Sequence, residues 1–245
     1  MRTTRGTKQW IITLALALTA SAACADGGND PHQDQAPERA PYGSERGFAI
    51  SGDAGYYTYG MDDVNQRFNQ GGDNSISGGT GYGVSAKLGL TDRLAAKAGI
   101  DYLFASRNAS RTVGSTTYDT SVNLPATMLF LGGEYVLFPL PLVDLKLSGG
   151  YTLVNIYNGN QTANGGALDL GNVTGTGSGF QVGLGAEVFL ARGFSLEADV
   201  AYNYAKISNA TFAGSAADPG SVNSNGTVDY SGIVAKLAFN IYLFR

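Results

Sequence analysis

Ser231 to Arg245 reads SGIVAKLAFNIYLFR. Ile233, Ala235, Leu237, Phe239, Ile241 and Leu243 stand at every second position, and Lys236, Asn240 and Tyr242 fall between them. A period of two is the period of a β-strand with one apolar and one polar face. The run is longer than the five or six residues usual for strands in soluble sheets, and it matches the roughly 9–11 that cross a bilayer at a tilt.

Working back along the chain, the same pattern recurs. Phe194, Leu196, Ala198, Val200 and Tyr202 oppose Ser195, Glu197, Asp199 and Asn203, and Phe180 to Val188 alternate with Gln181, Gly183, Gly185 and Glu187. Val143 to Tyr151 alternate with Asp144, Lys146, Ser148 and Gly150. Leu94 to Phe104, Tyr82 to Leu90 and Phe48 to Tyr56 do the same, setting Lys97 and Asp101, Lys87, and Asp53 on their polar faces. One more segment, about Ala126 to Phe138, is apolar on both faces. Placing Glu134 with the other charges puts Leu129, Leu131 and Tyr135 on the apolar side, and a bulge near Gly132-Gly133 is the alternative that would shift this parity.

Eight strands, most of 11–14 residues, are predicted over residues 47–245. Their connections alternate in length. Thr91–Arg93, Pro139–Pro141 and Ala191–Gly193 are short, while about 60–80, 106–122, 157–177 and 207–228 are long and rich in Gly, Asn, Ser and Thr. Tight turns at one end and long loops at the other are the asymmetry of an outer-membrane barrel. Aromatic residues mark both ends. Tyr56, Tyr57, Tyr59, Tyr82, Tyr102, Phe104, Tyr202, Tyr204 and Tyr230 are expected as a belt near the long loops; Phe48, Tyr135, Phe138, Phe189, Phe194, Tyr242 and Phe244 are expected near the short turns.

Composition agrees. Of 245 residues, 15% are charged and 35 are Gly, against average usage of roughly 25% charged and about 7% Gly. A mean hydropathy of −0.06 excludes a bundle of membrane helices and leaves a membrane β-barrel open. One Cys excludes a disulfide framework within the chain, and one His excludes any two-His metal site.

Residues 1–25 carry a basic start (Arg2, Arg5, Lys8), an apolar run from Trp10 to about Ala20 and small residues after it, the pattern of a secretory signal. Ser21-Ala22-Ala23-Cys24 resembles a lipobox, which makes Cys24 an acylation candidate; ordinary cleavage after Ala22 or Ala25 is the alternative. Residues 26–46, with Pro31, Pro37 and Pro41 and no apolar periodicity, read as a disordered linker. The single histidine, His32, lies in it.

Residues 47–245 resemble the small eight-stranded outer-membrane barrels of the OmpA/OmpX type. The last strand is the most specific part, being similar to their C-terminal insertion signal, although Arg245 rather than an aromatic residue ends it. The resemblance implies an all-β, antiparallel, up-and-down transmembrane barrel in the outer membrane of a Gram-negative bacterium, with the short turns in the periplasm and four long loops outside.

The polar faces converge on the lumen. Asp53, Lys87, Lys97, Asp101, Glu134, Lys146, Glu187, Glu197, Asp199 and Lys236 are expected to pair there, because an isolated buried charge is very costly. Eight strands leave an interior just wide enough for side chains. A filled, salt-bridged lumen is therefore expected, with a narrow channel for ions or small solutes as the alternative; six acids against four lysines would favour cations.

Catalysis is not expected, since the barrel enzymes of this membrane use His as general base and residues 47–245 contain none. No cofactor or metal is implied. Met61, Val64 and Phe68 fall on one face of a short helix in the first long loop, read as a cover on the barrel mouth, with a calcium- or partner-binding role for Asp62, Asp63 and Asp73 as the sharper alternative. The glycines at 79, 81 and 83 and at 175, 177 and 179 only superficially resemble phosphate loops, because neither set opens a helix. With 11 Lys and Arg against 15 Asp and Glu in residues 47–245 and no basic cluster there, nucleic acid is not expected as a partner. The expected partners are outer-membrane lipid and an extracellular ligand or surface met by the loops, and the barrel is expected to be monomeric.

Overall fold

The computed structural model describes residues 47–68, 75–113, 115–140, 142–164, 168–191, 193–212 and 224–244. The leader, the linker, Cys24, His32 and Asp73 lie outside the described residues, as does the side chain of Phe244.

The strands are β1 (Phe48–Thr58), β2 (Gly78–Gly89), β3 (Leu94–Phe104), β4 (Ser106–Val113), β5 (Thr116–Asn123), β6 (Ala126–Pro139), β7 (Val143–Asn164), β8 (Leu168–Ala191), β9 (Phe194–Phe212), β10 (Ser224–Asp229) and β11 (Gly232–Phe244). A short helix, α1 (Asp62–Phe68), follows β1. Eight strands form a closed antiparallel ring in the order β1, β2, β3, β6, β7, β8, β9, β11. Pairing of β11 with β1, from Phe48↔Phe244 to Tyr57↔Val234, completes the ring. No edge remains within it, which satisfies the backbone polar groups in a medium without water.

The apolar face of every barrel strand points outward. Val84, Leu131, Leu184, Val200 and Leu237 are exposed, Leu237 at 71%. On β6 Glu134 points in and Leu129, Leu131 and Tyr135 point out, so parity passes unbroken through Gly132-Gly133. The register shift lies later, between Val136 and Phe138.

At the short-turn end, Thr91 Oγ1 accepts from the backbone N–H groups of Arg93 (3.3 Å) and Leu94 (3.1 Å). Gly193 takes φ +86°, a left-handed conformation that favours glycine, and lets β8 reverse into β9.

Two expectations need correction. Among the described residues, three of the four stretches read as long loops are strand for most of their length. Residues 106–113 and 116–123 pair as the β4–β5 hairpin, β5 pairs with the far end of β7, and β10 pairs with the far end of β9. The barrel wall thus continues past the aromatic zone as a β-extension. Its polar, Gly-rich sequence obscured the strands, since Ser106, Asn108, Thr117, Asp119 and Asn160 are among its described residues that face outward and carry no apolar contrast. Secondly, Tyr57, Tyr59, Tyr230 and Phe189 are buried and Tyr242 is partly buried rather than in the belts. Tyr57 and Tyr242 follow strand parity, which takes precedence over aromatic preference for the interface.

Candidate functional site

The lumen is layered. Near the short turns, Ala49, Ala95, Val136 and Phe189 are buried at inward positions. Above them lies a layer of ionic side chains. Lys87 Nζ pairs with Glu197 and lies 3.1 Å from Glu134. Lys97 Nζ lies 2.6 Å from Glu134, 3.5 Å from Glu197 and 4.0 Å from Asp199. Lys146 pairs with Glu187 and lies 3.4 Å from both Glu134 and Glu197. A second group joins Lys236 to Asp101 at 2.5 Å and to Asp53 at 3.6 Å. All ten charged residues singled out in the sequence therefore face the lumen, each within ion-pair distance of an opposite charge.

Strand register explains the arrangement. Lys87 stands directly opposite Lys97 on neighbouring strands, and Asp144, Glu187 and Glu197 are in register across β7, β8 and β9. Each wall therefore carries a ladder of like charge, which is unfavourable within a sheet. Closure of the ring brings β2–β3 to face β8–β9, so that Lys87 and Lys97 meet Glu197 across the lumen, while Glu134 of β6 and Lys146 of β7 supply the remaining counter-charge.

Neutral residues complete this layer, and the sequence did not single them out. Glu187 Oε1 accepts from Ser195 Oγ, from Asn240 Nδ2 at 2.8 Å and from Tyr242 OH at 2.5 Å. Asn240 Nδ2 also lies 3.0 Å from Glu197 Oε2, and its Oδ1 accepts from Ser51 Oγ. Their inward parity was readable; their role was not, because Ser and Asn occur equally on solvated faces. The carboxylate residue Asp144, also buried and inward, is a further residue that the sequence did not single out.

Glycines make the room. A Cβ on Gly83 would lie 2.2 Å from Asp101 Oδ1, and one on Gly132 would lie 2.2 Å from the backbone oxygen of Gly149 and 2.6 Å from Gly150 Cα. Between the two ionic groups is a cavity of about 30 Å³ lined by Asp53, Asp101, Asp199, Ser85, Ser148 and Gln181 among others.

Toward the long-connection end the lumen becomes apolar, a layer that the expected filled, salt-bridged lumen did not include. Tyr57, Leu103, Met128, Val154, Ile156, Ala205, Ile207 and Tyr230 form one buried cluster with Met61 and Val64 of the α1 segment and with Ile76. Carrying the parity of Lys146 forward to Val154 and Ile156, or that of Asp101 to Leu103, would have revealed it. Asn65 holds this cover closed. Its Nδ2 donates to Ile76 O at 3.1 Å, and its Oδ1 accepts from Ile76 N at 2.7 Å. Tyr230 OH donates to Leu124 O at 2.8 Å, and burial beside Tyr59 raises its pKa, keeping it a donor. Asp62 and Asp63 sit exposed in the first turn of α1, where the helix dipole favours them.

A family model described as "Outer membrane protein beta-barrel domain" matches residues 11–239. No curated protein matches in sequence. Among solved structures, the outer membrane protein OprG of Pseudomonas aeruginosa is similar in fold, with TM-score 0.56 and 14% identity over 83% of this chain and 99% of that one. A major outer membrane protein from Thermus thermophilus gives TM-score 0.47 and 15% identity over 80% of this chain and 99% of that one. Neisserial surface protein A gives TM-score 0.44 and 12% identity over 80% and 97%. With its closed ring, apolar outer face and filled interior, the chain belongs to the outer-membrane β-barrel domain family, as a small eight-stranded barrel of the OmpA/OmpX type.

Proposed function

We propose that this chain is a closed, non-enzymatic barrel that acts as a structural and surface-interaction element through its extracellular β-extension. The observation that carries this reading is the occlusion of the lumen in consecutive layers, ionic near the short turns and apolar under α1. A side-chain-filled interior leaves the exposed end as the place where a ligand or surface is met. The absence of His from residues 47–245 supports a non-enzymatic role. Residues 1–25 serve export, residues 26–46 link, and Cys24 is either acylated, removed by cleavage after Ala25 or retained unmodified by cleavage after Ala22. Labelled palmitate supplied to a Gram-negative host decides the last point, since incorporation requires Cys24 to be retained.

The competing reading is a narrow cation-selective channel, favoured by the excess of acids over lysines in the lumen. Planar-bilayer recording separates the two. Pure protein is expected to give no discrete conductance steps. Steps that disappear in Lys87→Met or Glu187→Gln would overturn the closed barrel.

A further inference from the structure

Asp53, Asp101 and Lys236 place two carboxylates around one ammonium. Lys236 Nζ donates to Asp101 Oδ2 at 2.5 Å. Its 3.6 Å separation from Asp53 Oδ1 is too long for a hydrogen bond, and that oxygen is buried without any hydrogen-bond partner. The Asp53 side chain is only 8% exposed and lines the cavity of about 30 Å³, which has room for one water-sized occupant. The remaining ionisable groups that face Asp53 are Lys97 from β3, Asp199 from β9 and the Tyr57 hydroxyl from its own strand. Lys97 is already engaged by Glu134 and Glu197. Asp53 is thus left without a full counter-charge in a place where a lone carboxylate is strongly disfavoured.

We infer that the chamber between Asp53, Asp101 and Lys236 takes up one unit of positive charge from solvent when the barrel forms, as a proton or as a small alkali cation. Its lining sets the carboxylates of Asp53, Asp101 and Asp199, the Ser85 and Ser148 hydroxyls and the Gln181 amide oxygen against the two ammonium groups of Lys97 and Lys236, an excess of hard oxygen acceptors. Among the described residues no three His, Cys, Asp or Glu side chains converge as a metal-binding group, which argues against a divalent ion. The inference rests on the closed-lumen reading, because a water-filled lumen would solvate Asp53 without any such uptake.

The test is urea unfolding of the refolded protein in phospholipid vesicles, in two arms. One varies pH from 8 to 5 in choline chloride. The other holds pH 8 and replaces choline with sodium or potassium at constant ionic strength. The unfolding midpoint is expected to rise as pH falls if the charge is a proton, or as alkali replaces choline if it is a metal cation. Asp53→Asn and Asp101→Asn each remove one carboxylate from the chamber, and both are expected to shrink the response by about one charge taken up on folding. If one variant fails to fold, the other carries the comparison. A flat wild-type response in both arms overturns the inference, as does a full response retained in the variants. Conductance is recorded on the same samples. A flat response with silent bilayers removes the chamber alone, whereas discrete conductance removes the closed lumen on which it depends.

Discussion

Lys146 shows how much a single lumenal side chain carries. It is buried, pairs with Glu187 and lies 3.4 Å from both Glu134 and Glu197. Lys146→Met would strand carboxylates that remain buried, which typically costs about 3–5 kcal/mol. A lowered urea midpoint reads the loss, and adding Glu187→Leu should recover part of it, because the pair then leaves together. Gly132 is sensitive for a different reason. Its would-be Cβ meets backbone rather than a movable side chain, so Gly132→Ala is expected to destabilise by about 1–3 kcal/mol in the same assay. At this scale the ionic residues were legible because charge at a fixed strand parity has one sensible destination. Tyr57, Phe189 and Tyr242 were misjudged because aromatic residues serve both interfaces and interiors, and only parity tells the two apart.

Among the elements, the barrel strands were legible and the β-extension was not. Period-two patterning identifies strands whose two faces meet different media. The stretch from Tyr157 to Gly177 lacks that contrast in its sequence, so its Asn, Thr and Gly read as loop, yet Val173 in it is buried. The β4–β5 hairpin pairs only with the far end of β7 among the barrel strands, through Asp119↔Asn164 to Asn123↔Asn160. Replacing residues 106–123 by a short Asn-Gly turn is therefore expected to leave an SDS-resistant barrel whose gel mobility still changes on boiling. The α1 segment was predicted from Met61, Val64 and Phe68, but the Asn65–Ile76 latch was not, since one Asn gives no signal of its partner. Asn65→Ala removes both bonds and leaves buried backbone groups unmet, at about 1–3 kcal/mol per group. Faster proteolysis within residues 59–77, with the barrel itself intact, is the expected result.

At the level of the whole molecule, the outer surface is the inverse of a soluble protein's. Leu237 projects from β11 among Leu196, Phe239 and Ala54 at a groove on the outside of the wall. Leu237→Lys is expected to destabilise the barrel by about 2–4 kcal/mol if that position lies at the bilayer midplane, measured by unfolding from vesicles. An unboiled wild-type sample that runs on SDS gels as unfolded chain would contradict the membrane barrel itself.

The two ladders of like charge bear on how such a wall can be assembled. Lys87 beside Lys97 and the Asp144–Glu187–Glu197 row each repel while the sheet is open; Glu134 of β6 and Lys146 of β7 offset part of this from neighbouring strands, and the contacts of Lys87 and Lys97 with Glu197 form only on closure. A partly rolled sheet therefore still lacks the contacts of Lys87 and Lys97 with Glu197 that closure supplies. A slip of one residue at any seam would turn a row of these charges toward lipid. The lumen thus works as a proofreading device, rewarding only the one alignment in which both walls arrive at the same height.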